Sequence, residues 1–108
     1  MTTFDERERE FEAAWQHDAA LQFRVISRRN RLLGLWAGHL MGMTVDRAED
    51  YAQALISAQV DARDPDAVHD KVHADLDAAK VDLSDHRLRK QMDALLVDAR
   101  EQVMTEVQ

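Results

Sequence analysis

The sequence predicts an all-α protein, a small four-helix bundle with a long first helix whose N-terminal part protrudes or is frayed. Three observations carry that expectation. The 108-residue chain holds only 3 glycines and 1 proline, too few to punctuate strands, among residues that favour helices. Apolar residues recur every three or four positions over four segments. Each segment also begins at a residue suited to capping a helix.

The first helix starts near Thr3, which forms a capping box with Glu6 three residues later. No proline intervenes before Met41, and Phe4, Phe11, Trp15, Ala19, Ile26, Leu33, Trp36 and Leu40 fall on one stripe. Gly34 and Gly38 lower helix propensity towards the end, and Gly42 is the expected C-cap. The second helix starts at Thr44 or Asp46, carries Val45, Ala48, Ala52, Leu55, Ile56 and Val60, and ends near Asp61. Asp64 and Pro65 are the expected N-cap and first residue of the third, whose apolar face is Val68, Val72, Leu76 and Ala79. Ser84 caps the fourth, with Leu83 and Leu88 at the positions of a hydrophobic staple and Met92, Leu95, Leu96, Ala99 and Val103 continuing the stripe.

Lengths then conflict. Connections this short favour antiparallel neighbours, and the second and third helices are each about 25 Å long, whereas Thr3 to Met41 would span roughly 57 Å. A bundle covers only the C-terminal half of such a helix, leaving Phe4, Phe11 and Trp15 on an overhang. Residues 1–19 are therefore expected as a separate segment and residues 20–108 as the bundle. Aromatic residues on one face of a protruding acidic helix suit recognition in the groove of a partner. In the competing arrangement the segment folds back and those aromatics join the core.

Composition excludes several classes. The length fits one domain, and with no cysteine there is no disulfide, thiolate metal site or cysteine nucleophile. No window approaches the roughly 18 consecutive apolar residues of a membrane span, and the opening MTTFDERERE is unlike a signal peptide, so a cytoplasmic protein without membrane insertion is expected. The net charge is −7, yet residues 21–40 hold four arginines and no acid. One basic collar on an acidic chain suits a solvated or acid-paired helix face better than nucleic acid, so no nucleic-acid partner is expected. His69 and His73 stand at i, i+4 in HDKVH, but no third ligand accompanies them, and no metal site is expected. His17, His39 and His86 are scattered. Glycine-rich phosphate loops and a serine, histidine and acid constellation are missing, so the chain is not expected to be an enzyme.

The opening MTTFDEREREFEAAW, the run RRNRLLGLWAG, the stretch DLDAAKVDLSDHRLRKQMDALL and the ending AREQV resemble the zeta subunit of the F1FO-ATP synthase of alphaproteobacteria. The resemblance spans nearly the whole chain. It implies a four-helix bundle, a monomer when free, that sits on the F1 sector at the inner membrane and inhibits ATP hydrolysis. Its N-terminal segment would enter a catalytic interface between alpha and beta subunits and reach the gamma subunit. The opening motif maps onto Thr2, Thr3, Phe4, Asp5, Arg7 and Glu8, with Phe11 and Trp15 as further apolar anchors. The collar maps onto Arg28, Arg29, Asn30 and Arg31 as docking or phosphate contacts, followed by Leu32, Leu33, Gly34 and Trp36. Where the family commonly reads alanine, glutamate, alanine before the twin arginines, this chain has Val25, Ile26 and Ser27, which removes an acid and adds apolar area.

Other readings remain open on the sequence alone. No cofactor is required, but weak ADP or ATP binding by Arg28, Arg29 and Arg31 would make the chain a nucleotide-binding regulatory bundle. A non-inhibitory interaction module is a further alternative, as is a coiled-coil dimer that turns its aromatic stripe on itself.

Overall fold

The computed structural model describes residues 3–61 and 63–106. They form five α-helices: α1 (Phe4–Trp15), α2 (Ala19–Leu40), α3 (Val45–Asp61), α4 (Ala67–Ala78) and α5 (Asp85–Glu106). The all-helical class expected from the sequence is present, but the long first helix is not. It is two helices, broken at Gln16, His17 and Asp18.

The break is made by capping rather than by proline or glycine. Asp18 adopts extended backbone, and its carboxylate accepts from the Leu21 amide at 3.1 Å, so it opens a new helix. The end of α1 is closed by the His17 and Asp18 amides donating to Ala14 O at 3.1 and 2.9 Å. The Gln22 side-chain amide adds a donation to Trp15 O. Freed from α2, the first helix folds back against α2 and α5 instead of extending the 57 Å rod. The expected overhang is thereby corrected. Phe11 is only 6% exposed and Trp15 is half-buried, whereas Phe4 stays 60% exposed.

The glycines of α2 have a packing role that their low propensity alone does not convey. A Cβ on Gly34 would lie 2.4 Å from Ala52 Cα, and one on Gly38 would lie 2.9 Å from Ala48 Cβ. The backbones of α2 and α3 thus meet along a seam of small residues. Gly42 ends α2 as expected, at φ 78°, with the Gly42 amide donating to His39 O at 3.0 Å and the Met43 amide to Gly38 O at 2.9 Å. Thr44 then caps α3, its hydroxyl accepting from the Arg47 amide at 3.2 Å.

Asp64 and Pro65 precede α4 but do not begin it. The Asp64 carboxylate accepts from the Asp66 amide at 2.9 Å, and Asp64 O accepts from Ala67 N–H at 3.1 Å, so the segment is a turn and the helix starts at Ala67. At the other end Lys80 takes φ 60° and does what glycine does after α2. The Lys80 and Val81 amides donate to Asp77 O and Leu76 O at 3.0 and 2.9 Å. Ser84 caps α5 through the Arg87 amide at 3.1 Å, and Leu83 and Leu88 both pack into the same core, as a staple requires.

Two apolar clusters result. The larger joins α2 to α5 through Leu33, Ala37, Leu55, Val68, Val72, Leu76, Leu88 and Met92. The smaller joins α1, α2 and α5 through Phe11, Val25, Ala99, Val103 and Met104, with Trp15, Leu21, Leu32 and Leu96 around it. Thus α1 contributes to the smaller cluster only, and the larger contains none of its residues.

Substitutions separate these contributions. Leu55→Ala, in the larger cluster, should lower unfolding free energy in urea titrations by about 2 to 4 kcal/mol, and Leu95→Ala, only half-buried, by less. Gly34→Ala should cost about 1 to 3 kcal/mol despite the better helix propensity of alanine, because its methyl meets α3 backbone.

Candidate functional site

The residues expected to form the inhibitory segment are brought onto α1, except Thr2, which lies outside the described residues. Thr3 and Glu6 close the capping box, with Thr3 N–H donating to Glu6 Oε2 at 3.3 Å and Glu6 N–H to Thr3 Oγ1 at 3.2 Å. The other positions of α1 then divide by the helical period. Phe4, Glu8 and Phe11 line a groove of about 240 Å³ against Val97, Arg100, Glu101 and Met104 of α5. Asp5, Glu8, Arg9 and Glu12 border the neighbouring surface, and Asp5, Arg7 and Glu10 are exposed.

Arg100, which the sequence reading did not single out, is the centre of this contact. Its guanidinium pairs with the Glu12 carboxylate and lies 5.8 Å from the Phe11 ring centroid and 5.3 Å from that of Trp15. One α5 side chain therefore engages three α1 residues, by charge and by cation–π attraction. No local sequence signal marks it, since its partners stand 85 or more positions away. Val25 lies at the base of the same contact and is fully buried. Of the departure noted at residues 25–27, Val25 thus helps to seat α1, whereas Ile26 lines the cleft beside Asn30 and Gln59 and Ser27 faces Gln59 of α3.

The collar is used within the molecule. Arg28 reaches Glu106 at 2.6 Å and Gln102 at 2.9 Å, Arg24 reaches Glu106 at 2.9 Å, and Arg31 holds both Glu49 oxygens at 2.9 and 3.1 Å. Asn30 is 0% exposed. Its amide donates to Gln59 Oε1 at 2.8 Å, and its oxygen accepts from Arg29 Nε at 2.7 Å, so Arg29, Asn30 and Gln59 form a polar chain between α2 and α3. Burial pulls the Arg29 guanidinium below its ordinary value, and Asp93 partly restores it. Of the three arginines considered for phosphate, Arg28 and Arg31 already hold carboxylates. Arg29 alone borders an open cleft, beside Arg63 and Asp64.

The histidine pair lies at the packing surface of α4 rather than in open solvent. His69 is 5% exposed and stacks on His73 with centroids 5.9 Å apart. Its Nδ1 lies 2.9 Å from Asp70 Oδ1, and its buried Nε2 lies 2.7 Å from Asp85 Oδ1 without the geometry of a directed hydrogen bond. His69 thereby ties α4 to the first turn of α5. Among the described residues no group of three or more histidine, cysteine or acidic side chains is arranged to hold a metal ion, and no helix is long and apolar enough to cross a membrane.

An α1 carrying the expected opening motif, seated on α5, and a collar that staples α2 to its neighbours are now placed. The family model for ATPase inhibitor subunit zeta matches residues 1–102. The chain belongs to the ATPase inhibitor subunit zeta family. The zeta match takes in α1, Arg100 and the whole collar, while Met104 of the α1 groove and Glu106, which holds Arg24 and Arg28, lie beyond it. A search of curated proteins returned no match to the chain.

Glu106 supplies a pH-dependent check on the collar. Hydrogen bonding from Arg28, aided by Arg24, holds its carboxyl below the ordinary glutamate value against a smaller opposing effect of desolvation. A carboxyl lowered on folding stabilises the native state above its unfolded pKa of about 4.3 and loses that contribution as pH falls through the folded value. Glu106→Gln should therefore be less stable than the parent at neutral pH, and chemical denaturation should show the difference shrinking on acidification below about pH 4.3.

Proposed function

We propose that this chain is a regulatory, non-catalytic inhibitor of ATP hydrolysis by the F1 sector of ATP synthase, with α1 as a detachable wedge. Membership of the zeta family supports the inhibitory role and the association with F1. The observation that carries the wedge reading is the slender seat of α1. A 12-residue helix, joined to the body through a capped break, is held by one fully seated side chain, Phe11, and by the contacts of Arg100. Residues 1–19 then act as the inhibitory segment and residues 20–108 as the body that delivers it.

Rotary hydrolysis requires each catalytic interface to open and close in turn. A helix lodged between alpha and beta subunits and against gamma stops that cycle without contacting nucleotide, so inhibition needs binding and no chemistry. Phe4, Phe11 and Trp15 serve as apolar anchors, while Thr3, Asp5, Arg7 and Glu8 set register at the rim. The chain reaches the inner membrane through the synthase rather than through a span of its own. The phosphate reading gains no support from Arg28 and Arg31, whose guanidinium groups are occupied by Glu106 and Glu49.

In the closed form Phe11 is unavailable to a partner, so α1 must leave α5 before it binds. Exposing a phenylalanine costs about 1.5 to 3 kcal/mol. The part-exposed ion pair adds about 0 to 1 kcal/mol, and a helix this short is marginal alone. A closing free energy of about 2 kcal/mol leaves about 3% of molecules open and weakens apparent affinity by the same factor. Inhibition is thus set by two affinities, that of α1 for F1 and that of α1 for its own α5.

Steady-state hydrolysis by purified F1 tests this directly. Deleting residues 1–17, which leaves Asp18 to cap α2, should abolish inhibition while circular dichroism shows the remaining helices folded. Arg100→Ala should strengthen inhibition by about 3- to 10-fold, because it loosens the seat and leaves the wedge intact. Equal inhibition by the deleted and parent chains would place the activity in the body, and weaker inhibition by Arg100→Ala would mean that the closed form is the active one.

A further inference from the structure

A second groove lies on the body, away from α1. It is lined by Trp36 of α2, by Leu83 in the connection before α5, and by Arg87, Lys90, Gln91 and Ala94 of α5, and holds about 420 Å³. We infer that this groove is the surface by which the body docks on the ATPase, and that its occupant is an acidic segment of that partner carrying an apolar side chain. This inference rests on the proposed F1 reading.

Charge is the first reason. The chain carries 21 acids against 14 lysines and arginines, yet this groove contains two cations and no acid. Six of the other cations are engaged within the molecule: Arg24, Arg28, Arg31, Lys71, Arg89 and Arg100 each hold a carboxylate. Arg87 and Lys90 make no such pair among the described residues. Both are exposed, so a carboxylate from outside meets them without displacing an internal partner.

The floor supplies the second reason. Trp36 and Leu83 are half-buried and rest on the larger apolar cluster, which fixes the indole while leaving part of it open. A fixed indole beside two cations offers both an apolar contact and charged rim groups, the combination found where a few side chains dominate binding. Arg87, Gln91 and Ala94 follow one another at helical spacing along α5, and the small Ala94 keeps the groove open at its end. These features fit an extended or helical segment that places one apolar residue over Trp36 and acids beside Arg87 and Lys90.

Placement is the third reason. The lining comes from α2, α5 and the connection before α5, and none of it from α1. Release of α1 therefore leaves the groove formed. A body held at this surface keeps the wedge close to its interface, which raises the effective concentration of α1 there.

The test measures binding of the full-length chain to purified F1 by fluorescence anisotropy at low and high salt, for the parent and for the double variant Arg87→Glu, Lys90→Glu. Arg47→Glu on α3, also exposed, controls for added negative charge. The double variant should bind at least about tenfold more weakly than the parent and lose much of the salt dependence. Hydrolysis should still be fully inhibited by it at saturation, since α1 is untouched, and the control should bind like the parent. Parent binding with an unchanged double variant would overturn the groove assignment and leave the F1 reading standing, whereas a parent that does not bind F1 would sink both. Loss of parent self-association in the double variant by sedimentation, with F1 binding unaltered, would assign the groove to a second copy of the chain and overturn the inference.

Discussion

Side-chain volume is missing where α2 meets α3, and the rest of the arrangement depends on that gap. Gly34 and Gly38 face Ala52 and Ala48 so closely that a methyl group at either glycine would overlap α3. The close approach lets short polar side chains bridge the two helices, as Asn30 and Gln59 do at 2.8 Å. With α3 held on one side, α2 presents Leu33 and Ala37 to the larger cluster and Val25 and Leu32 to the smaller. Both the body and the seat for α1 are thus built on one 22-residue helix.

Division of the apolar surface into two clusters is what makes a removable helix physically reasonable. Had Phe11 packed among Leu33, Leu55 and Leu88, detaching α1 would open the centre of the molecule. It packs instead against Val25, Ala99 and Val103 at the other end of α2 and α5, where the collar already joins α2 to α5 through Arg28, Glu106 and Gln102. The staple holds the two long helices together whether or not α1 is seated. Arg100 then acts as the fastener, since it touches α1 by charge at Glu12 and by its guanidinium face at Phe11 and Trp15.

Features written in a few adjacent residues were legible in the sequence. The Thr3 and Glu6 capping box, the Thr44 and Ser84 caps, the Leu83 and Leu88 staple and the Gly42 terminus all follow from local chemistry, and all are present. The break before α2 was harder to see, because its signal was a single cap-forming Asp18 inside a stretch free of proline and glycine. Similarly, Lys80 ends α4 in a conformation that glycine usually takes, so the residue type gave no warning. What depends on distant partners was not legible at all. The burial of His69 requires Asp85 and the start of α5, the collar requires Glu106, and the seat of α1 requires Arg100. The overhang was derived from helix length alone, and length cannot report that a helix turns back on its neighbours.

The central claim is that α1 is seated on α5 in the free chain and leaves it on the ATPase. Spin labels on the exposed residues Glu10 of α1 and Gln53 of α3 would report that motion as a change in their distance distribution, measured by pulsed electron resonance before and after addition of F1. A narrow distribution in the free chain that moves to a different distance, in step with inhibition, is the result this account requires. Full inhibition with an unchanged distribution would contradict it, because α1 would then act from its seat.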